Sequence, residues 1–317
     1  STQNLLRILG FCVFGHVFVE LLSAKFQYEE RMNRLATITL SQNALRLTFV
    51  GLLILATRSQ LSLQTVAICY AASALVIALI GIANLRNFGG ATAWVRLPAQ
   101  QLRQTIPVSK VARGSFPFGA ALLLQLIYYQ SDVVMLKYLS APEQAGYYSV
   151  AFSLVSAAYI LPTAVFQRYF LSKIHNWSFR DPAQLRRFSF LGSISIGSVG
   201  LVVVGLIWPM SDLLITGFFG IEYAESASIL RVLLLSIPAI YVSYNFGAVL
   251  MTRENMTTKS AILAIVAAFN IGANAILIPQ MGAMGASLTT VASAYLLLLL
   301  YTLGAFRALK HLPKVEG

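Results

Sequence analysis

Charge is what this sequence has least of. Charged residues occupy 11% of its 317 positions, against about 25% in an ordinary soluble domain. That is too little polar surface to cover a globule in water. Cysteine is nearly absent as well. Cys12 and Cys69 are the only two, and both sit inside apolar stretches, so neither a disulfide framework nor a zinc site is expected and both read as packing residues. There is no glycine-rich phosphate loop ending in Lys-Ser or Lys-Thr. No hydrophilic stretch is long enough to fold into a nucleotide-binding domain, so this chain is not expected to hydrolyse ATP. The alternating ten-residue segments of outer-membrane barrels are missing too. No cofactor or metal is expected.

What is there is hydrophobic: 57% of the residues, with a mean hydropathy of +0.73. The apolar residues come in blocks of about 20, the length that crosses ~30 Å of hydrocarbon at 1.5 Å per residue. The fold class is therefore all-α integral membrane. Nine blocks read as spanning helices, near 5–24, 36–57, 62–84, 116–139, 145–167, 188–209, 226–251, 260–279 and 284–306.

The net charge of +12 might suggest nucleic acid, but the basic residues are dispersed among apolar spans. They follow the connectors instead. Alternate connectors, together with the carboxyl-terminal end, hold 18 of the 23 Lys and Arg residues, among them Lys25, Arg34, Arg103, Arg168, Arg187, Arg253 and Arg307. By the positive-inside rule those connectors and the carboxyl terminus are cytoplasmic, which puts residue 1 outside. An outside start without a basic n-region or a small-residue cleavage site predicts an odd number of helices ahead of residue 1. The longest hydrophilic connector, 86–114, carries Gly89, Gly90, Pro98, Pro107 and five basic residues and reads as the main boundary between lobes. A shorter basic loop is expected at 168–187. Two Asn-x-Ser/Thr sequons, at Asn176 and Asn255, fall in cytoplasmic connectors and read as accidental.

Polar groups inside the spans are the candidates for function. An ionisable group at bilayer centre costs about 2.5–3.5 kcal/mol even on lenient scales, so each needs a partner or a wet cavity. Arg46 lies near the middle of 36–57, with Gln42 one turn before it and Thr39 two turns before on the same face. It reads as a cavity cation for a diphosphate or acidic sugar, or as an Arg that snorkels or pairs with another helix. Asp132 shares a face with Gln125 and Tyr129, about 22 Å along its helix from Pro117. It reads as a proton or cation site, as a partner for an entering cation, or as a structural pair with Arg231 or Lys137. Glu20 with His16 could titrate as a pair, or Glu20 could pair with Lys25 at the headgroups. Tyr159, Tyr241, Asn245, Asn270 and Asn274, with Ser149, Ser153 and Ser156, suit either a glycan path or helix–helix hydrogen bonds worth about 0.6 kcal/mol each.

Three stretches carry a family resemblance. One runs from Ser115 to Ile160: a helix holding Gln125, Tyr128, Tyr129, Ser131 and Asp132, then LSAPEQAGYYSVAFSLVSAAYIL. The others are FQYEERMN (26–33) and NIGANAILIPQMGAMGASLTTVAS (270–293). Together they resemble polysaccharide repeat-unit flippases of the O-antigen type, within the superfamily of drug exporters and lipid II flippases. The resemblance implies two six-helix lobes around a central cavity, with both ends cytoplasmic. If 12 helices apply, three precede residue 1. Residues 1–85 are then the last three helices of the first lobe, 86–114 the inter-lobe connector and 115–317 a complete second lobe.

The implied activity is flipping of undecaprenyl-diphosphate-linked oligosaccharide across the bacterial inner membrane by alternating access, for O-antigen, capsule or exopolysaccharide synthesis. Substrate would be bound by Arg46, Gln42, Gln125, Tyr129, Asp132, Tyr159, Tyr241, Asn245, Asn270 and Asn274, with Asp132 and Glu20 as ion-coupling candidates. Expected partners are the lipid-linked oligosaccharide, membrane lipids, the polysaccharide polymerase and the chain-length machinery, and no nucleic acid. Two alternatives stay open. One is a cation-coupled drug or metabolite exporter of the same superfamily. The other is a membrane glycan polymerase or ligase, against which the short outer connectors count.

Overall fold

The computed structural model describes residues 10, 15–23, 25–26, 31–57, 63–86, 107–252 and 255–310. Among them the chain is all-helical, with no strand. Six helices are long and apolar enough to cross a membrane, or seven with one bent pair counted as a span. Large side chains such as Leu47, Leu55, Phe116, Leu122, Leu201 and Leu206 stand exposed along them. In water such a surface would drive aggregation; in a bilayer it is the lipid contact. The protein is a multi-pass membrane protein.

The residues form two compact units, Ser1–Thr105 and Ile106–Gly317. In the first, α1 (Met32–Thr57) packs on α2 (Leu63–Arg86). The helical stretch 15–23 also lies against α2. A Cβ on Gly15 would come within 2.6 Å of Ala74, and one on Gly81 within 2.9 Å of Phe18. Small residues at such contacts let backbones approach, which is how helices associate when lipid supplies no hydrophobic drive. The expected span 5–24 is only partly within the described residues, and the connector 87–106 is outside them.

The second unit begins with α3 (Val108–Leu139) and α4 (Pro142–Ala158). After α4 the chain passes Pro162 and widens into a π-helical stretch, Thr163–Tyr169. Residues 168–187, expected as a loop, are largely helical instead. The short amphipathic α5 (Leu171–Arg180) leads into α6 (Pro182–Ile207). Asp181 caps α6, its Oδ1 accepting from the Gln184 amide at 2.9 Å, with Pro182 in the first turn where its missing N–H costs nothing. Its five basic residues, Arg168, Lys173, Arg180, Arg186 and Arg187, made the segment look like a loop by charge alone.

Beyond α7 (Ser211–Phe219), the expected span 226–251 is a broken one. α8 (Ser226–Leu234) and α9 (Ser236–Val249) meet at 42°, close to Pro238, whose ring removes a backbone donor. The last element, α10 (Met256–Lys310), is 55 residues long, far more than the ~20 a bilayer needs. It reverses at Gly282, where φ is +56° and ψ −133°, a region open to glycine alone. Gln144 seals this turn, its Oε1 accepting the Ala283 amide at 3.0 Å. At the opposite end of the unit, Arg186 donates from Nε (3.3 Å) and Nη2 (2.9 Å) to the Leu309 carbonyl, satisfying a helix C-terminus. The start of α6 and the end of α10 therefore share one face.

Candidate functional site

Asp132 is the centre of the second unit's polar core. It is 1% exposed and receives groups from three helices. Tyr148 of α4 donates to Oδ2 at 2.5 Å, Thr290 of the second half of α10 donates to Oδ2 at 2.6 Å, and Asn274 of the first half donates to Oδ1 at 2.5 Å. Amide and hydroxyl groups continue the network outward. Asn270 Oδ1 accepts from Ser131 Oγ (2.8 Å) and Asn274 Nδ2 (3.2 Å), while Asn270 Nδ2 donates to Ser293 Oγ (3.4 Å).

All of these partners are neutral. The expected pairing of Asp132 with Arg231 or Lys137 does not occur. Arg231 is ion-paired to Asp212, and Lys137 is exposed.

Counting hydrogens shows what the cluster lacks. Tyr148 Oη, Thr290 Oγ1 and Asp132 Oδ2 form a triangle with edges of 2.5, 2.6 and 2.9 Å, and Thr290 Oγ1 also lies 2.9 Å from the Ala286 carbonyl. Two hydroxyl hydrogens face four oxygen–oxygen contacts, so at most two of the contacts are hydrogen-bonded at once. Asn274 Oδ1 has no partner either. One further proton on the carboxyl, or a small cation among these oxygens, would complete the set. No group of three or more His, Cys, Asp or Glu gathers among the described residues; one carboxylate among neutral oxygens suits a single positive charge.

An aromatic column adjoins this core. Tyr129 lies 5.1 Å from Tyr128 and 6.2 Å from Tyr159 between ring centroids, and Tyr159 Oη is 2.8 Å from Ser236 Oγ. Gln125, Tyr128, Tyr129, Tyr244 and Lys259 line a small cavity of about 30 Å³, enough for one water. Lys259 is only 5% exposed; its Nζ reaches the Gly247 carbonyl at 3.3 Å and the Tyr301 ring at 5.9 Å. It has no carboxylate partner among the described residues.

The other expected residues divide. Tyr241 donates to the Ala158 carbonyl at 2.8 Å, bracing the end of α4. Asn245 Nδ2 donates to Ser189 O and Ser193 Oγ, both at 2.8 Å, tying α9 to α6. Ser149 and Ser153 bond to carbonyls of their own helix. In the first unit, Gln42 (7% exposed) and Arg46 lie one turn apart on α1, with the guanidinium 5.3 Å from the Tyr70 ring. Arg46 Nε and Gln42 Nε2 have no hydrogen-bond partner. His16 and Glu20 are both exposed.

Tyr148, Thr290 and Lys259 went unremarked in the sequence. Tyr148 and Thr290 look like ordinary membrane residues there. Lys259 was counted with a basic connector, and only its position on the fourth residue of an apolar helix could have marked it.

Helices of this length and apolarity define a multi-pass helical membrane protein, here with a buried carboxylate held by neutral donors. The family model for polysaccharide biosynthesis protein matches residues 2–168, more than half of the chain, and the chain belongs to that family. The third resembling stretch, 270–293, lies beyond the matched residues. No curated protein and no solved structure matches the chain.

Proposed function

We propose that this protein is a secondary transporter that flips a polyprenyl-diphosphate-linked oligosaccharide from the cytoplasmic to the outer leaflet of the inner membrane, driven by a proton or monovalent cation bound at Asp132. The family supplies the role in polysaccharide biosynthesis. The observation that carries the transport mechanism is the hydrogen-deficient cluster around Asp132. A carboxylate at membrane depth without a basic partner is expensive, and one that holds together three helices is placed to report its charge state to all of them. Charging and discharging it would bias a two-state helix packing, which is how alternating access is coupled to an ion. Arg46 and Gln42, with unmet donors in the first unit, suit an anionic diphosphate or sugar acid. In this reading the carboxyl terminus is cytoplasmic and the chain performs no chemistry on the glycan. The same Asp132 site would also serve a cation-coupled exporter of another cargo; the family match favours the saccharide.

The test is Asp132→Asn in the full-length protein, expressed in a strain lacking its own flippase. The expected result is near-normal membrane abundance, since Asn keeps the shape and most of the hydrogen bonds, with surface polysaccharide reduced at least tenfold and lipid-linked units accumulating inside. Undiminished surface polysaccharide would remove Asp132 from the mechanism. Loss of polysaccharide without accumulation of lipid-linked units would point away from flipping and toward a step on the glycan itself.

A further inference from the structure

Another cavity of the second unit lies apart from the Asp132 core. It is a groove of about 860 Å³ between the π-helical stretch, α5 and one face of α6. Its α6 residues recur every three or four positions, Arg187, Leu191, Ser195 and Val199, so they form a single stripe along the helix. From Arg187 to Val199 that stripe rises about 18 Å, close to the ~15 Å of one hydrocarbon leaflet. The opposite wall is aromatic: Phe170 and Trp177 sit 4.7 and 5.2 Å from Phe188, and Phe166 6.1 Å from it.

Local sequence explains why the groove is open. The π-helical stretch after Pro162 carries Phe166, which with Phe170 packs on Phe188 at one edge of α6, and the small Ser195 leaves the middle of the neighbouring stripe shallow. Its mouth is polar, with Gln184, Arg187 and Asp181. Asp181 is engaged as the α6 cap. Arg187 is exposed and makes no ion pair or hydrogen bond among the described residues. A channel that is apolar along its length, one leaflet deep and cationic at one end is complementary to a lipid chain with an anionic head.

We infer that this groove holds the first isoprene units of a polyprenyl chain, with the attached phosphate at Arg187. The inference rests on the transporter reading above and adds to it where the lipid end of the substrate sits while the saccharide crosses. One wall is built of aromatic rings, Phe166, Phe170 and Trp177, between which the methyl branches of a polyprenyl chain can wedge, where a straight acyl chain has no branches to place. Anchoring the chain here would keep the phosphate at a fixed place on the membrane face, so the saccharide enters in one register.

The experiment places the photo-crosslinker p-benzoylphenylalanine at Leu191, inside the groove, or at the exposed Ile194 on the same helix outside it. After irradiation of membranes containing the full-length protein, adducts are identified by mass spectrometry. The expected adduct at Leu191 is a polyprenyl phosphate or diphosphate, with or without saccharide, at least fivefold above Ile194 and reduced severalfold by Arg187→Gln. A phospholipid adduct, a crosslink to another protein segment, or equal yields at both positions would overturn it. A second arm measures binding of sugar-free polyprenyl diphosphate to purified protein by native mass spectrometry. Ser195→Trp, which fills the groove, should lower occupancy at least tenfold at an unchanged Tm, while Ser198→Trp should not. Equal binding by both variants would also overturn it. Because the probe carries no sugar and no export is read, a failure here leaves the Asp132 result standing, and the reverse holds as well.

Discussion

Two buried ionisable side chains of the second unit, Asp132 and Lys259, lack an opposite charge among the described residues, and they manage burial differently. Asp132 accepts three hydrogen bonds from neutral donors, each worth about 1.5–3 kcal/mol when the acceptor is charged. Lys259 has only one carbonyl at 3.3 Å and a distant ring. A lysine so poorly compensated is a cost to stability rather than a support. Lys259→Met, which keeps the length of the side chain and drops the charge, should leave Tm in detergent unchanged or raise it by a few degrees. A fall of several degrees would show that the ammonium is holding the fold. Arg46 calls for a different series. If its charge meets an anionic substrate, Arg46→Ala and Arg46→Glu abolish export at normal membrane abundance, and Arg46→Lys keeps part of it, since Lys retains the charge but not the bidentate fork. Depleted protein in the Ala variant would assign Arg46 to packing with Tyr70 instead, a contact worth about 0.5–2 kcal/mol. Normal abundance with normal export would exclude it from substrate binding.

At the scale of elements, breaks matter more than helices. The turn at Gly282 joins a positive φ to a contact, because a Cβ there would lie 2.7 Å from Gln144 Oε1, the atom that accepts the Ala283 amide. Gly282→Ala should therefore destabilise by about 1–3 kcal/mol through backbone strain and displacement of the cap. Gln144→Ala should cost about 1 kcal/mol, and the double variant less than the sum, because each change already disturbs the same hydrogen bond. Strict additivity in denaturant unfolding would show that strain alone is at work. The sequence placed the end of one span and the start of the next on either side of this glycine. It missed the break between α8 and α9, since a single run of apolar residues looks the same whether or not the helix bends within it. The helical character of 171–187 was hidden for the opposite reason, its charges outweighing its amphipathic period.

For the molecule as a whole, the contact of Arg186 with the Leu309 carbonyl puts the basic start of α6 and the end of α10 on one face. We propose, from the positive-inside rule, that this face is the cytoplasmic one. A cysteine at Ala183 should resist impermeant thiol reagents in intact cells, and cysteines at Ala141 and Gln280 should react. Labelling of Ala183 from outside would invert the orientation. The inverted orientation would also move the mouth of the α6 groove to the outer leaflet, making it a site for leaving lipid rather than entering lipid.

Composition and run length were enough to determine that this is a helical membrane protein and roughly where its spans lie, because desolvation of the backbone is paid residue by residue along the chain; the family was legible in particular stretches of sequence. Asp132, Asn270 and Asn274 were among the ten binding candidates in the sequence, but on separate helices with nothing to say that they meet. What only the tertiary structure decided is who meets whom. Tyr148 and Thr290 reach Asp132 from 16 and 158 residues away, Lys259 turns inward from what looked like a connector, and the groove is lined jointly by the π-helical stretch, α5 and α6. Such contacts depend on side-chain direction and helix rotation summed over long loops. Hydropathy, a local quantity, carries no record of either.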